Sequence, residues 1–142
     1  MTESNFFREV LLEHARHPRN SGILKCPDVR SHVFNPLCGD ELELTLSLYD
    51  STIKECKTKV RGCSICQASA SMMSEFILSK TLSEASITSK KFSESLKKES
   101  NEIPESLEFL APLISLKSHR SRIKCMKLAW EALEDCVSQI ET

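Results

Sequence analysis

Four side chains in this sequence have types and neighbours suited to chemistry: Cys38, Asp40, Cys63 and Cys125. Cys38 lies in "NPLCGD", residues 35–40, where Pro36 and Gly39 mark a turn and Asp40 follows two positions after the thiol. Backbone amides converge in such a turn and favour an anion. Cys63 directly precedes a segment of helical periodicity that begins near Ser64, and Cys125 falls in the first turns of a later predicted helix, flanked by Arg122 and Lys124. Free amides and the dipole at a helix N-terminus lower a thiol's pKa, giving the thiolate that reacts and binds metal. Three thiolates and one carboxylate supply the four donors of tetrahedral zinc. Four ionised donors outweigh the charge of one zinc ion, and Arg61, Arg122, Lys124 and the two helix ends are the candidates to balance the excess. Spacing alone does not dictate this set, because Cys38-x-Asp40 is no zinc-finger pattern and the other donors are distant in sequence.

The remaining cysteines divide. Cys26, Cys56 and Cys136 have no charged companion suggesting a site and are expected to be small buried hydrophobes. Cys63-Ser64-Ile65-Cys66 is formally C-x-x-C, a spacing that serves zinc or redox exchange, yet it has no second pair. The residues alone leave Cys66 open between those roles and plain packing. His14, His17, His32 and His119 read as surface or capping contacts, with His119 worth following because it precedes the Cys125 helix.

The elements that must position these residues follow from periodicity. Ser4 is placed to cap a helix with Phe7, Val10 and Leu11 on one face, ended by His17-Pro18. Residues 29–34 read as a strand, and Leu42, Leu44, Leu46 and Leu48 alternate as a half-buried strand requires. A polar turn over residues 49–52 returns the chain through Ile53 to Val60, making a small antiparallel sheet. Cys63 meets Cys38 only if the register of that sheet brings them together. Ile65, Met72 and Phe76 then run along a helix towards Leu78, and Thr81 with Glu84 forms a capping box for another. Residues 86–101, rich in serine and lysine, read as a solvated helix or mobile excursion. Pro104 opens a short apolar segment ending near Leu116, and Ile123, Met126, Trp130, Leu133, Val137 and Ile140 form the core stripe of a final helix. The order helix, strands, helices predicts an α+β fold in one domain over residues 1–142.

The bulk composition excludes more than it selects. A formal net charge of -1 gives no electrostatic reason for nucleic acid or an anionic membrane. The start of the chain lacks the basic, apolar and small-residue regions of a secretory signal, and no apolar run is long enough to span a bilayer. The expected location is therefore the cytoplasm, and in that reducing compartment seven cysteines point to metal or redox chemistry rather than disulfides.

"NPLCGD", "RGCSICQASASMM" and "RIKCMKLAWEAL", with "HARHPRN" near the start, resemble the iron–sulfur cluster scaffold family that includes IscU and the N-terminal domain of NifU. The resemblance covers nearly the whole chain and is strongest to the SufU branch. Residues 86–115 look like an insertion that IscU-type scaffolds lack, and Lys124 stands where those scaffolds usually carry a histidine. The resemblance implies a three-stranded antiparallel sheet packed against helices. It also implies a zinc site of Cys38, Asp40, Cys63 and Cys125, with Cys38 accepting sulfur from a pyridoxal-phosphate cysteine desulfurase of SufS type for downstream iron–sulfur assembly proteins. That is a zinc-dependent sulfurtransferase. Two alternatives remain: a scaffold that assembles a [2Fe–2S] cluster on the same ligands, and a structural zinc module that only binds partners. Three departures from the family pattern are Val60 in place of the first glycine of G-x-G-C, Cys66 where serine is common, and Arg120 where proline often stands.

Overall fold

A computed structural model describes residues 3–141 of the chain. Helix α1, Glu3–Arg16, leads to the strands β1, Val29–Asn35, β2, Asp40–Tyr49, and β3, Thr52–Arg61. Helices α2, Ser64–Ile77, and α3, Leu82–Lys97, follow; a 3-10 segment, Glu105–Leu110, runs into the single turn α4, Ala111–Ile114, before the long α5, Arg120–Glu141. The strands form one antiparallel sheet in the order β1-β2-β3. Helix α5 lies against β1 and β2, α2 against β3, and α1 and α5 both pack on α2. This is the α+β architecture that the element order predicts.

The leucine alternation in β2 does what a half-buried strand demands: Leu42, Leu44 and Leu46 are fully buried beneath α5. The register slips at Ser47/Leu48, and Leu48 is only half-buried beyond that irregularity. Asp50 and Ser51 both have positive φ and form the two-residue turn between β2 and β3, whose twist favours that conformation even without glycine. Thr81 caps α3 by accepting from the Glu84 amide at 3.1 Å, while the Glu84 side chain accepts from the Thr81 amide at 3.2 Å, completing the predicted box.

Four expectations need correction. Ser4 lies inside α1 rather than at its cap. The segment at 86–101 is no excursion: α3 runs through Lys97 and buries Leu82, Ala85, Ser89, Phe92 and Leu96 against α5 and the 3-10 segment. Those positions repeat at helical spacing, but serines at Ser86, Ser89 and Ser95 occupy places where the eye expects leucine, and lysines on the outer face dominate the composition. Small side chains there let the Phe92 ring reach Trp130, 5.4 Å between centroids. Ile140, at the end of the α5 stripe, is exposed, although the neighbouring Gln139 still donates to the Arg30 carbonyl of β1. Cys26 is also exposed, in the link between α1 and β1, whereas Cys56 and Cys136 are buried as expected.

Candidate metal centre

The hairpin between β1 and β2 presents the first thiol. Asn35 pairs with Asp40 across it, the Gly39 amide donates to the Asn35 carbonyl at 2.8 Å, and the Leu37 amide donates to Asn35 Oδ1 at 3.0 Å. Gly39 closes the turn at φ +77°, a conformation glycine adopts without cost. Cys38 is thereby exposed at the apex, between the exposed Leu37 and the buried Asp40. Glu41 pairs with Arg61 on β3, so the start of β2 lies beside the segment Gly62-Cys63. The register brings Cys63 to Asp40, while the donors that lie within 4.8 Å of one another are Cys38, Asp40 and Cys125.

Asp40 is the hub. Its Oδ1 accepts from the Cys63 amide at 3.0 Å, and its Oδ2 lies 3.7 Å from Cys63 Sγ. Cys63 is the N-cap of α2, its sulfur accepting from the Cys66 amide at 3.4 Å, which is the place at the helix start expected from the sequence. Cys125 differs from expectation. It sits in the second turn of α5, buried, with Sγ donating to the Ser121 carbonyl at 4.0 Å, beyond the first turn where the helix dipole acts. The donor atoms of Cys38, Asp40 and Cys125 all lie within 4.8 Å of one another. Cys63 is not in that group but touches it through Asp40 and Cys125. Zinc–sulfur bonds of about 2.3 Å at tetrahedral angles separate ligands by roughly 3.7 Å, a separation that the group of Cys38, Asp40 and Cys125 allows, and soft sulfurs with one harder oxygen suit zinc.

Hydrogen bonds and proximity couple the ionisation of these groups. Burial acts to raise the Asp40 carboxyl, but hydrogen bonds from Cys38, the Cys63 amide, Cys125 and Cys63 outweigh it and hold the group below its usual range. Cys125 is pushed upward, by burial first and then by its hydrogen bonds and proximity to Asp40 and Cys63. A bound divalent ion inverts that logic, since a coordinating thiol is deprotonated outright. Arg61, Arg122 and Lys124 are exposed and form no ion pair with Asp40 among the described residues, so they balance charge only at a distance.

Cys66 is fully buried, its thiol pushed up to about 12 by burial and by the nearby Asp40, Cys63 and Cys38. It contributes a backbone amide to the Cys63 cap, and its side chain packs in the core. His119 is exposed just ahead of α5 and is not in the donor cluster. Sequence reasoning missed Gly62. A Cβ there would lie 2.5 Å from Asp40 Oδ1, so only glycine lets the aspartate come this close. The signal was present in the Gly-Cys pair, but it reads as a turn until the register is known.

A family model described as the NifU-like N terminal domain matches residues 6–142. The chain belongs to that family. Among its relatives, the zinc-dependent sulfurtransferase SufU of Bacillus subtilis is 35% identical over 135 residues, covering 95% of this chain and 91% of the relative. The iron–sulfur cluster assembly scaffold protein IscU of Thermotoga maritima is 30% identical and covers 94% of each chain. A crystal structure described as a candidate iron–sulfur cluster assembly scaffold protein for the SUF system, from Fervidobacterium islandicum AW-1, superposes with a TM-score of 0.86 at 26% identity, covering 96% of this chain and 99% of that one. Against the NifU-like pattern, Val60 proves to be an ordinary strand residue paired with Leu42. Arg120 is the first residue of α5, the one helical position where proline is equally at home, so the exchange leaves the path of the chain intact.

Proposed function

We propose that this NifU-like chain serves iron–sulfur cluster assembly as a zinc-dependent sulfur acceptor, with Cys38 as the reacting thiol. The observation that carries this reading is an exposed cysteine at a hairpin apex whose sulfur lies within reach of two buried donors, Asp40 and Cys125. Cys38, Asp40, Cys63 and Cys125 would hold the zinc, which when bound keeps the donors ionised at neutral pH. The buried donors stay with the fold. Cys38 alone is on a turn open to solvent, and it can turn outward to a partner's sulfur. Its thiolate attacks the outer sulfur of a persulfide on a pyridoxal-phosphate cysteine desulfurase. A new S–S bond forms on Cys38, the donor's S–S bond breaks, and the donor cysteine leaves as thiolate. The B. subtilis relative, by its name a zinc-dependent sulfurtransferase, supports this reading.

The T. maritima relative, by name a scaffold, supports a second one in which the same donors bind a [2Fe–2S] cluster. Protein purified without air separates the two: colourless with about one equivalent of zinc for the acceptor, or brown with iron and sulfide for the scaffold. The acceptor itself is tested by incubation with a cysteine desulfurase and cysteine, followed by mass mapping of persulfide. Persulfide is expected on Cys38 and absent from Cys38→Ser; undiminished persulfide on the variant overturns the assignment.

A further inference from the structure

A groove lined by none of Cys38, Asp40, Cys63 and Cys125 runs along α1. Its larger part, about 1600 Å³, lies between α1, the link after α3, α4 and the start of α5. Its smaller part, about 430 Å³, lies between α1, the start of α2 and the end of the α4 turn, and the two share Glu3, Phe7 and Ser115. Half of the residues that line the small part are apolar: Phe7, Leu11, Leu12, Ile65 and Leu116. The floor of the large part is also apolar, with Val10, Ile103, Phe109, Ile114 and Ile123. Its wall is not: Lys97, Lys98, Lys117, Arg120 and Lys124 face it, against three carboxylates, Glu3, Glu99 and Glu108. Among the described residues none of these five cations is ion-paired, although the carboxylates line the same space; Lys117 instead donates to the Ser100 carbonyl. A chain of net charge -1 thus gathers an uncompensated excess of positive charge around one apolar trough.

An α-helix with side chains is about 10–12 Å across, and two to three turns fill a trough of this volume. An apolar floor with a cationic wall matches a helix that is apolar on one face and acidic on the other, the helix-in-groove mode of recognition. A membrane would meet a flat or convex surface. Single-stranded nucleic acid stacks its bases on aromatic floors in cationic grooves, whereas the floor here is mainly aliphatic, with Val10, Ile103, Ile114 and Ile123, and three carboxylates in the same trough oppose the dense charge of a phosphate backbone. The groove also borders the donor cluster at two points, through Ser64 and Ile65 next to Cys63 and through Ile123 and Lys124 next to Cys125. We propose that this groove docks an acidic amphipathic helix of a partner protein. A helix seated there lies along the N-terminal ends of α2 and α5 and leaves the Cys38 hairpin open.

The test uses a fluorescein-labelled peptide of about 16 residues with leucine on one helical face and glutamate on the other. A lysine-for-glutamate counterpart, phosphatidylserine vesicles and a single-stranded oligonucleotide serve as competitors. Anisotropy titration of the full chain is expected to show saturable binding of the acidic peptide, weakened by salt. The double variant Lys97→Glu with Lys98→Glu is expected to weaken it about tenfold and to gain affinity for the lysine peptide. Circular dichroism checks that the exposed substitutions leave the fold intact, and Phe6→Ser, on the exposed rim of the groove, is a second, uncharged probe expected to weaken binding. Equal binding of both peptides, no effect of the charge reversal, or displacement by vesicles or oligonucleotide overturns the proposal. Persulfide mapping on Cys38 is unaffected by any of these outcomes, so failure here leaves the sulfur-acceptor reading standing.

Discussion

At the scale of single residues, the centre depends on how closely two chain segments approach. Asp40 reaches Cys63 because Gly62 carries no side chain, and a methyl group at 62 would press into the carboxylate itself. Gly62→Ala is therefore expected to displace Asp40 and cut the zinc retained on purification to well below that of the unaltered chain, with the far-ultraviolet dichroism unchanged; metal analysis by mass spectrometry reads it. Cys66 is the control. Its thiol is buried and stays protonated far above neutral pH, so Cys66→Ser is expected to leave metal stoichiometry untouched and to lower stability only through a hydroxyl placed in an apolar site, by about 1–3 kcal/mol in urea unfolding. Equal loss of metal from both variants would mean that Cys66 is a ligand after all.

At the scale of elements, helix α3 is the sharpest test of what a sequence reveals. Phe92→Ala should cost about 3–5 kcal/mol, because the ring is fully buried against Trp130, whereas a solvated excursion would lose almost nothing. Thr81→Ala should cost about 1 kcal/mol from the lost cap, which the sequence did announce. The strands, the capping box and the α5 stripe were legible because each rests on a local rule: alternation, a fixed four-residue spacing, and a helical repeat of large apolar side chains. The buried face of α3 was not, because serines and an alanine interleave Leu82, Phe92 and Leu96 on it and only the partner helix shows that they are inside. The donor set was legible as residue types, but the convergence of Cys38 with Cys125 depends on the register of β2 against β3 and on the placement of α5, neither of which a local rule supplies. The "HARHPRN" segment has an explanation of the same kind. His14 Nδ1 lies 2.8 Å from Ser71 Oγ, which also accepts from the Arg19 amide at 2.9 Å, and so the end of α1 and its following link are fastened to α2. Burial, then Arg19, lowers the His14 pKa, with Glu75 and Glu13 opposing. The unfolded chain then binds more protons than the folded one as pH falls below 6.5. The stabilisation from neutral His14 is complete above that value and is lost as pH drops through the lower folded pKa. Urea midpoints measured at neutral and mildly acidic pH should show this fall, and His14→Gln should show a smaller one.

At the scale of the whole molecule, the candidate centre joins three elements that are distant in sequence. The β1–β2 hairpin, the N-terminus of α2 and the second turn of α5 come together at Cys38, Asp40, Cys63 and Cys125. The hydrophobic core extends well beyond the centre: Phe92, Trp130, Met126 and Leu133 belong to it, and of the site cysteines Cys125 is buried in it with Cys63 packed against it. A ligand that binds only the folded state stabilises it in proportion to the logarithm of its concentration over its dissociation constant. Zinc removal is accordingly expected to lower the unfolding temperature without unfolding the chain at room temperature. The loss should be local. Amide exchange should quicken at the hairpin around Cys38 and in the first turns of α2 and α5, while the α3–α5 interior keeps its protection. Global unfolding on chelation would instead make the ion part of the core, and would move the chain towards a structural zinc module whose cysteines have no freedom to react. Local loosening is what a sulfur acceptor requires, because Cys38 must leave its neighbours to meet a partner's persulfide and then return to a scaffold that has stayed folded.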